Sequence, residues 1–250
     1  FLSVMFLACC FNGSLCAQSD AQIYERTCDA KTYPFSDPSP VATPNNSYYP
    51  YFRFDGFSMQ AQEKQWKMVV LENDYVKLTV TPEIGGKIWG AIDKVNNKEF
   101  VYTNGVVKFR DVAMRGPWTS GGIEFNFGII GHAPTCSTPI DYLTKKNVDG
   151  SVSCHIFSYE WITRTVWNVE INLPKDKAYF TTHTTWFNQS SIDQPYYQWM
   201  NAGYATKTGT RFYYPGTYSI GHSGDLHPYP IDEEGRDVSW YDNNNFGASK

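Results

Sequence analysis

Charge and cysteine are both scarce in this chain of 250 residues. Asp, Glu, Lys and Arg make up 18% of it, and 21 basic against 25 acidic side chains leave a net charge of −4. That balance excludes nucleic acid as the main partner, because a polyanion demands a basic face. Of the six cysteines none stands in Cys-x-x-Cys spacing, and there is no His-Glu-x-x-His. The common zinc frameworks are therefore absent, and no metal is expected. The chain also lacks a glycine-rich phosphate loop, a dinucleotide fingerprint and a serine nucleophile elbow, so no cofactor is expected either. No apolar run reaches the length of a membrane-spanning helix. Long amphipathic helical patterns are missing too, and only 231–241 reads as a short helical turn.

Aromatic residues are abundant: 18 Tyr, 16 Phe and 8 Trp. Such rings fill the cores of large β-proteins and also offer flat faces for sugars. From about residue 66 the chain reads as strand after strand. In YVKLTVTP, Val76, Leu78 and Val80 share one face, and Tyr75, Lys77 and Thr79 the other. KEFVYT, SVSCHIFSYE, ITRTVWNVEINL, AYFTTHTTWF and YYQWMNAGYA follow, separated by Asp-Gly and proline-containing turns. The expected fold is all-β, a large two-sheet antiparallel sandwich.

The first residues, FLSVMFLACCFNGSLCA, read as a secretory signal peptide over 1–17 that is incomplete at its start, with cleavage after Ala17. Lipoprotein processing before Cys9 or Cys10 is the alternative. Secretion, or residence in a periplasm, is the expected localisation. Cys28, Cys136 and Cys154 then remain, enough for at most one internal disulfide. Residues 18–55 are polar and proline-rich and read as an irregular lead-in. Residues 56–250 read as one sandwich domain.

The stretch RGPWTSGGIEFNFGIIGHAP, residues 115–134, holds five glycines with one Trp, one carboxylate, one Asn and one His. Alternation along GIEFNFG sets Glu124 and Asn126 on one strand face, opposite Ile123, Phe125 and Phe127. The surrounding glycines leave the polar pair little steric cover. Trp118 upstream and His132 downstream complete a set suited to a sugar: hydrogen-bonding groups for its hydroxyls and an aromatic face for its C–H side. Glu124 is the candidate catalytic carboxylate, and Trp118, Asn126 and His132 are candidate substrate-binding residues. The competing structural reading pairs Glu124 with Arg115 and buries Trp118.

A second group lies in SIGHSGDLHPYP, residues 219–230. His222 and Asp225 are candidate acid–base residues there, and His227 a candidate ligand-binding residue. The same side chains also read as a metal site of unfamiliar spacing or as a solvated loop. In YYQWMNAGYA, Tyr197, Trp199 and Asn201 share a face, which makes Trp199 and Asn201 further substrate-binding candidates. His183 reads as a surface residue of a threonine-rich strand. Arg110, Arg115 and Arg211 offer bidentate contacts to a uronic acid, or ordinary salt bridges.

The segment LENDYVKLTVTPEIGGKIWGAIDKVNNKEFVYTN, residues 71–104, resembles the opening of galactose-mutarotase-like domains. RGPWTSGGIEFNFGIIGHAPTCSTPIDY and FYYPGTYSIGHSGDLHPYP are similar to an uncharacterised bacterial family of that superfamily, the domain of unknown function 5107. The resemblance implies a β-supersandwich, incomplete on its C-terminal side, in an exported protein with tetratricopeptide repeats following as intramolecular partners. In mutarotases a histidine near the strand corresponding to 196–205 is the general acid. Gln198 and Asn201 stand there instead, which argues against simple mutarotase activity.

Carbohydrate is thus the expected partner. A glycoside hydrolase would need two carboxylates about 5 to 9.5 Å apart, with Glu124 the first and Asp225, Glu233 or Glu234 the second. An epimerase would need one acid and one base. A non-catalytic carbohydrate-binding domain would need neither, and a purely structural sandwich would scatter these side chains.

Overall fold

A computed structural model describes residues 19–35, 57–111, 117–128, 132–221 and 223–244. The strands are β1 (Gln22–Tyr33), β2 (Gln62–Glu72), β3 (Val76–Thr81), β4 (Lys87–Asp93), β5 (Lys98–Val101) and β6 (Val107–Lys108). The short β7 (Arg110–Asp111) and β8 (Pro117–Trp118) pair with each other, and β9 (Ile123–Gly128) follows. Then come β10 (Asp141–Lys146), β11 (Val152–Glu160), β12 (Thr165–Leu173), β13 (Thr181–Asn188) and β14 (Tyr197–Ala202). The last two are β15 (Tyr218–Ile220) and β16 (Leu226–Pro228).

Two of the sheets form an all-β sandwich. The larger has the order β14-β9-β4-β3-β2-β1-β6, with β5 paired to β4, and the smaller has the order β10-β11-β12-β13. Period-two alternation sends one side of each strand into the space between them. Val69 and Leu71 of β2, Val76, Leu78 and Val80 of β3, and Phe125 and Phe127 of β9 meet Cys154, Ile156, Trp167, Val169 and Ile171 from the small sheet. Phe127 stacks on Trp167 at 4.5 Å and meets Trp186 edge-on at 5.8 Å. Removing an aromatic from such a position costs about 3–5 kcal/mol. The Asn73 side chain ties the layers together: its amide donates to the Pro174 and Lys177 carbonyls, and its oxygen accepts from the Tyr75 and Val76 amides.

The outer face of the large sheet carries a second core. Trp66, Met68, Trp89, Val107 and Phe109 are buried there, and the Trp66 indole donates to Thr32 Oγ1 at 2.9 Å. Between β3 and β4 the chain makes a single helical turn (Pro82–Ile84) and reverses at Gly85, whose φ is +65°. A Cβ on Gly85 would run into the backbone of Thr135 and Cys136. Glycine therefore lets the Pro134–Ser137 turn dock against this reversal, where the Gly85 amide donates to the Thr138 carbonyl at 2.8 Å.

Two expectations are corrected here. The irregular lead-in fails over Gln22–Tyr33, which is a full strand paired with β2 through eleven residues from Gln22↔Glu72 to Thr32↔Gln62. Residues 36–55 and the signal segment 1–17 lie outside the described residues. The chain divides into two compact units, Phe1–Gly203 and Tyr204–Lys250. In the second unit β15 and β16 form a small hairpin. Its segment 231–241 is not a helical turn but a reversal closed by an Ile231↔Asp237 bridge, because Asp232 Oδ1 accepts the amides of Glu234 and Arg236.

Candidate functional site

The inner face of β9 is apolar core, and its outer face is ionic. Lys87 on β4 and Glu124 on β9 both point outward, with side chains 1% and 2% exposed. Lys87 Nζ donates to the Thr119 carbonyl at 2.5 Å and to Thr119 Oγ1 at 3.0 Å, and lies 3.7 Å from Glu124 Oε2. Glu124 Oε1 accepts from Asn126 Nδ2 at 3.0 Å and lies 2.6 Å from His132 Nδ1. That last contact is as short as a charge-assisted hydrogen bond, yet Nδ1 has no aligned acceptor. It is a close electrostatic contact between the ring and the carboxylate. Asn126 Oδ1 in turn accepts the Ala133 amide at 2.8 Å, which fixes the backbone beside His132.

Glycine makes this approach possible. Gly122 has φ +67°, and a Cβ there would meet the Ile88 carbonyl and the Lys87 stem. Its amide and carbonyl are held by Tyr102 and Gly203, both at 2.8 Å.

Tryptophans flank the imidazole. His132 meets Trp199 edge-on at 4.8 Å and Trp118 at 6.0 Å, and Lys87 Nζ lies 5.8 Å from the Trp118 ring. His132, 16% exposed at its side chain, links the buried ion pair to the surface. Burial pushes the Glu124 carboxyl upward, but His132, Lys87 and Asn126 outweigh it and hold it below its ordinary 4.5. Burial pushes the Lys87 ammonium down from its ordinary 10.5, against the pull of Glu124. Three buried side-chain atoms in this cluster lack a hydrogen-bond partner besides His132 Nδ1: Glu124 Oε2, Trp118 Nε1 and Trp199 Nε1. Native proteins leave few such atoms, since each costs about 1–3 kcal/mol.

The structure thus brings together Trp118, Glu124, Asn126, His132 and Trp199, with Asn201 opposite Glu124 in the β14–β9 register. Glu124 pairs with Lys87 and His132; Arg115, its partner in the structural reading, lies outside the described residues. Asp225 and His227 sit exposed on the β15–β16 hairpin of the second unit, and His222 lies outside the described residues. Among the described residues no group of three His, Cys, Asp or Glu side chains converges as a metal site. His183 is exposed on β13, and Cys28, Cys136 and Cys154 form no disulfide with one another. Burial pushes the Cys154 thiol up to about 12, which leaves it unreactive.

Lys87 is the member that sequence reasoning missed. Its signal was there: a lone lysine in IGGKIWG opens a strand whose next residues are all apolar or glycine, an odd place for a solvated charge. The same outer face carries a groove of about 500 Å³, lined by Met68, Trp89 and Asn104 together with charged side chains of both signs, Arg26, Lys31 and Glu99 among them. A depression of about 610 Å³ lies elsewhere, between the β11–β12 turn and the 189–194 loop, and Arg164 is its one charged lining residue.

Residues 43–250 match the family described as a domain of unknown function (DUF5107), and the chain belongs to that family. A solved structure similar to it is a TPR-domain-containing protein from Parabacteroides distasonis, at 25% identity and a TM-score of 0.73. The match covers 80% of this chain and 35% of that one, so this chain spans about a third of its neighbour's length.

Proposed function

We propose that the outer face of the large sheet is the carbohydrate site of an exported protein acting on glycosides, and that His132 is its acid–base group. The observation that carries this reading is an imidazole set between two tryptophans and against a buried carboxylate. An ionised Glu124 favours a proton on Nδ1, which leaves Nε2 to exchange protons with a ligand hydroxyl or glycosidic oxygen. Glu124 on this reading positions the imidazole through Oε1 and is not itself the acid–base group. Indole faces supply the stacking surface, and the neighbouring groove supplies volume in the range of small-ligand pockets. The resemblance to mutarotase-like domains and the signal-like start support a sugar and export. The TPR-domain neighbour supports repeats within the same polypeptide as intramolecular partners.

A second reading, a binding domain without turnover, is favoured by one observation. Among the described residues the ionisable groups in contact with Glu124 are Lys87 and His132, and neither is the second carboxylate that hydrolysis by a carboxylate pair requires. Screening the protein and its His132→Gln variant for binding and cleavage of oligosaccharides separates the two. Cleavage that disappears in the variant while binding persists supports acid–base chemistry. Binding without cleavage, weakened in the variant, supports recognition alone, and no binding by either protein refutes both.

A further inference from the structure

The fixed charges of this site are already committed to one another. Lys87 directs hydrogen bonds at the carbonyl and hydroxyl of Thr119, and its remaining attraction is to Glu124. Arg110, the described arginine of this unit that sequence reading offered to a ligand carboxylate, donates to the Phe109 carbonyl at 2.6 Å and lies over Phe57 at 4.9 Å. What remains without a hydrogen bond, besides His132 Nδ1, is of a different kind: two indole N–H donors, on Trp118 and Trp199, and one carboxylate oxygen, Glu124 Oε2, which meets Lys87 only as an ion pair at 3.7 Å.

Each class of ligand group can be tested against that remainder. A carboxylate or sulfate would satisfy the indoles but would face Glu124, and among the described residues the cation beside Glu124, Lys87, is already engaged by Thr119. An ammonium would suit Glu124 but would face Lys87 and leave both indole donors empty. A hydroxyl does both tasks, giving its proton to a carboxylate and accepting one from an indole. We propose that the carbohydrate taken at this site is uncharged, held through hydroxyls by Trp118, Trp199 and Glu124, and that uronates and amino sugars are discriminated against. The inference rests on the carbohydrate reading above and narrows it. All three atoms are buried and the neighbouring His132 is partly exposed, so the sugar reaches them through a side-chain rearrangement of a kind common on binding.

The test uses the full chain labelled with ¹⁵N at its tryptophans, the two indole signals being assigned from Trp118→Phe and Trp199→Phe variants. It is titrated with neutral hexose oligosaccharides, with the same compounds oxidised to uronates at C6, and with their 2-amino counterparts. The expected result is that neutral compounds shift both indole signals and that the charged ones bind more than about tenfold more weakly. Equal or tighter binding of a uronate or amino sugar overturns the neutral class and leaves the carbohydrate reading standing. If no compound of any class moves either signal, both fall.

Discussion

The two histidine-bearing segments that stood out in the sequence end in opposite physical states. In 117–137 a strand carries Glu124 and Asn126 into a buried network that fixes His132 from below, through a carboxylate, an amide and a backbone N–H. In 219–230 the polar residues cap a hairpin. The Gly221 amide donates to the Asp225 carbonyl, and Asp225 and His227 face solvent. Composition alone hardly distinguishes the two segments. The difference lies in what each backbone pairs with: β9 is flanked by β4 and β14 in a large sheet, whereas β16 has β15 alone. A sheet interior supplies the burial that turns a Lys–Glu–His set into a coupled unit.

Breaking that unit should have the largest effect. Glu124→Gln leaves Lys87 buried without its countercharge, and a destabilisation of about 3–5 kcal/mol is expected from denaturant unfolding. Adding Lys87→Met to that variant should recover much of the loss, because the stranded charge is gone. Full additivity of the two substitutions would show that the residues are uncoupled. Next in size is Gly122→Ala, expected to cost about 1–3 kcal/mol from its left-handed backbone alone, with the clash against Ile88 and Lys87 added. Equal stability there would remove the close-approach argument.

Acid sharpens the contrast further. The folded Glu124 carboxyl sits below its ordinary 4.5, so between the two values the unfolded chain binds more protons. The contribution is fully present above the unfolded value, falls as pH drops below about 4.5, and is gone once pH passes the folded value. Urea midpoints measured through that window should fall less steeply for Glu124→Gln than for the parent. Smallest of all, Asp225→Asn and His227→Ala should leave the thermal midpoint where it is. A clear shift from either would give the hairpin a network of its own.

Much of the sandwich was legible because its strands alternate: Val76, Leu78 and Val80 face the inner core, and Lys77 and Thr79 do not. β1 was not legible. QIYERTCDAKTY exposes most of its side chains, and its strand character comes from backbone pairing with β2, some forty residues later in the chain. Glu124 and Asn126 were placed on one face by period two alone, with Trp118 and His132 close by in sequence. Lys87 was missed because its partners, Thr119 and Glu124, come from a distant part of the chain, and spacing carries no trace of such a contact. The hairpin histidines were over-read for the converse reason, since a dense polar motif says nothing about burial.

The central claim is that a buried carboxylate holds His132 with Nδ1 protonated and Nε2 offered to a sugar. Long-range ¹H–¹⁵N NMR of the His132 ring, recorded with and without a neutral oligosaccharide, tests it directly. The account predicts the Nδ1–H form in the free protein and a shift centred on Nε2 when the sugar is added. An Nε2–H ring in the free protein, unmoved by any sugar, would contradict it.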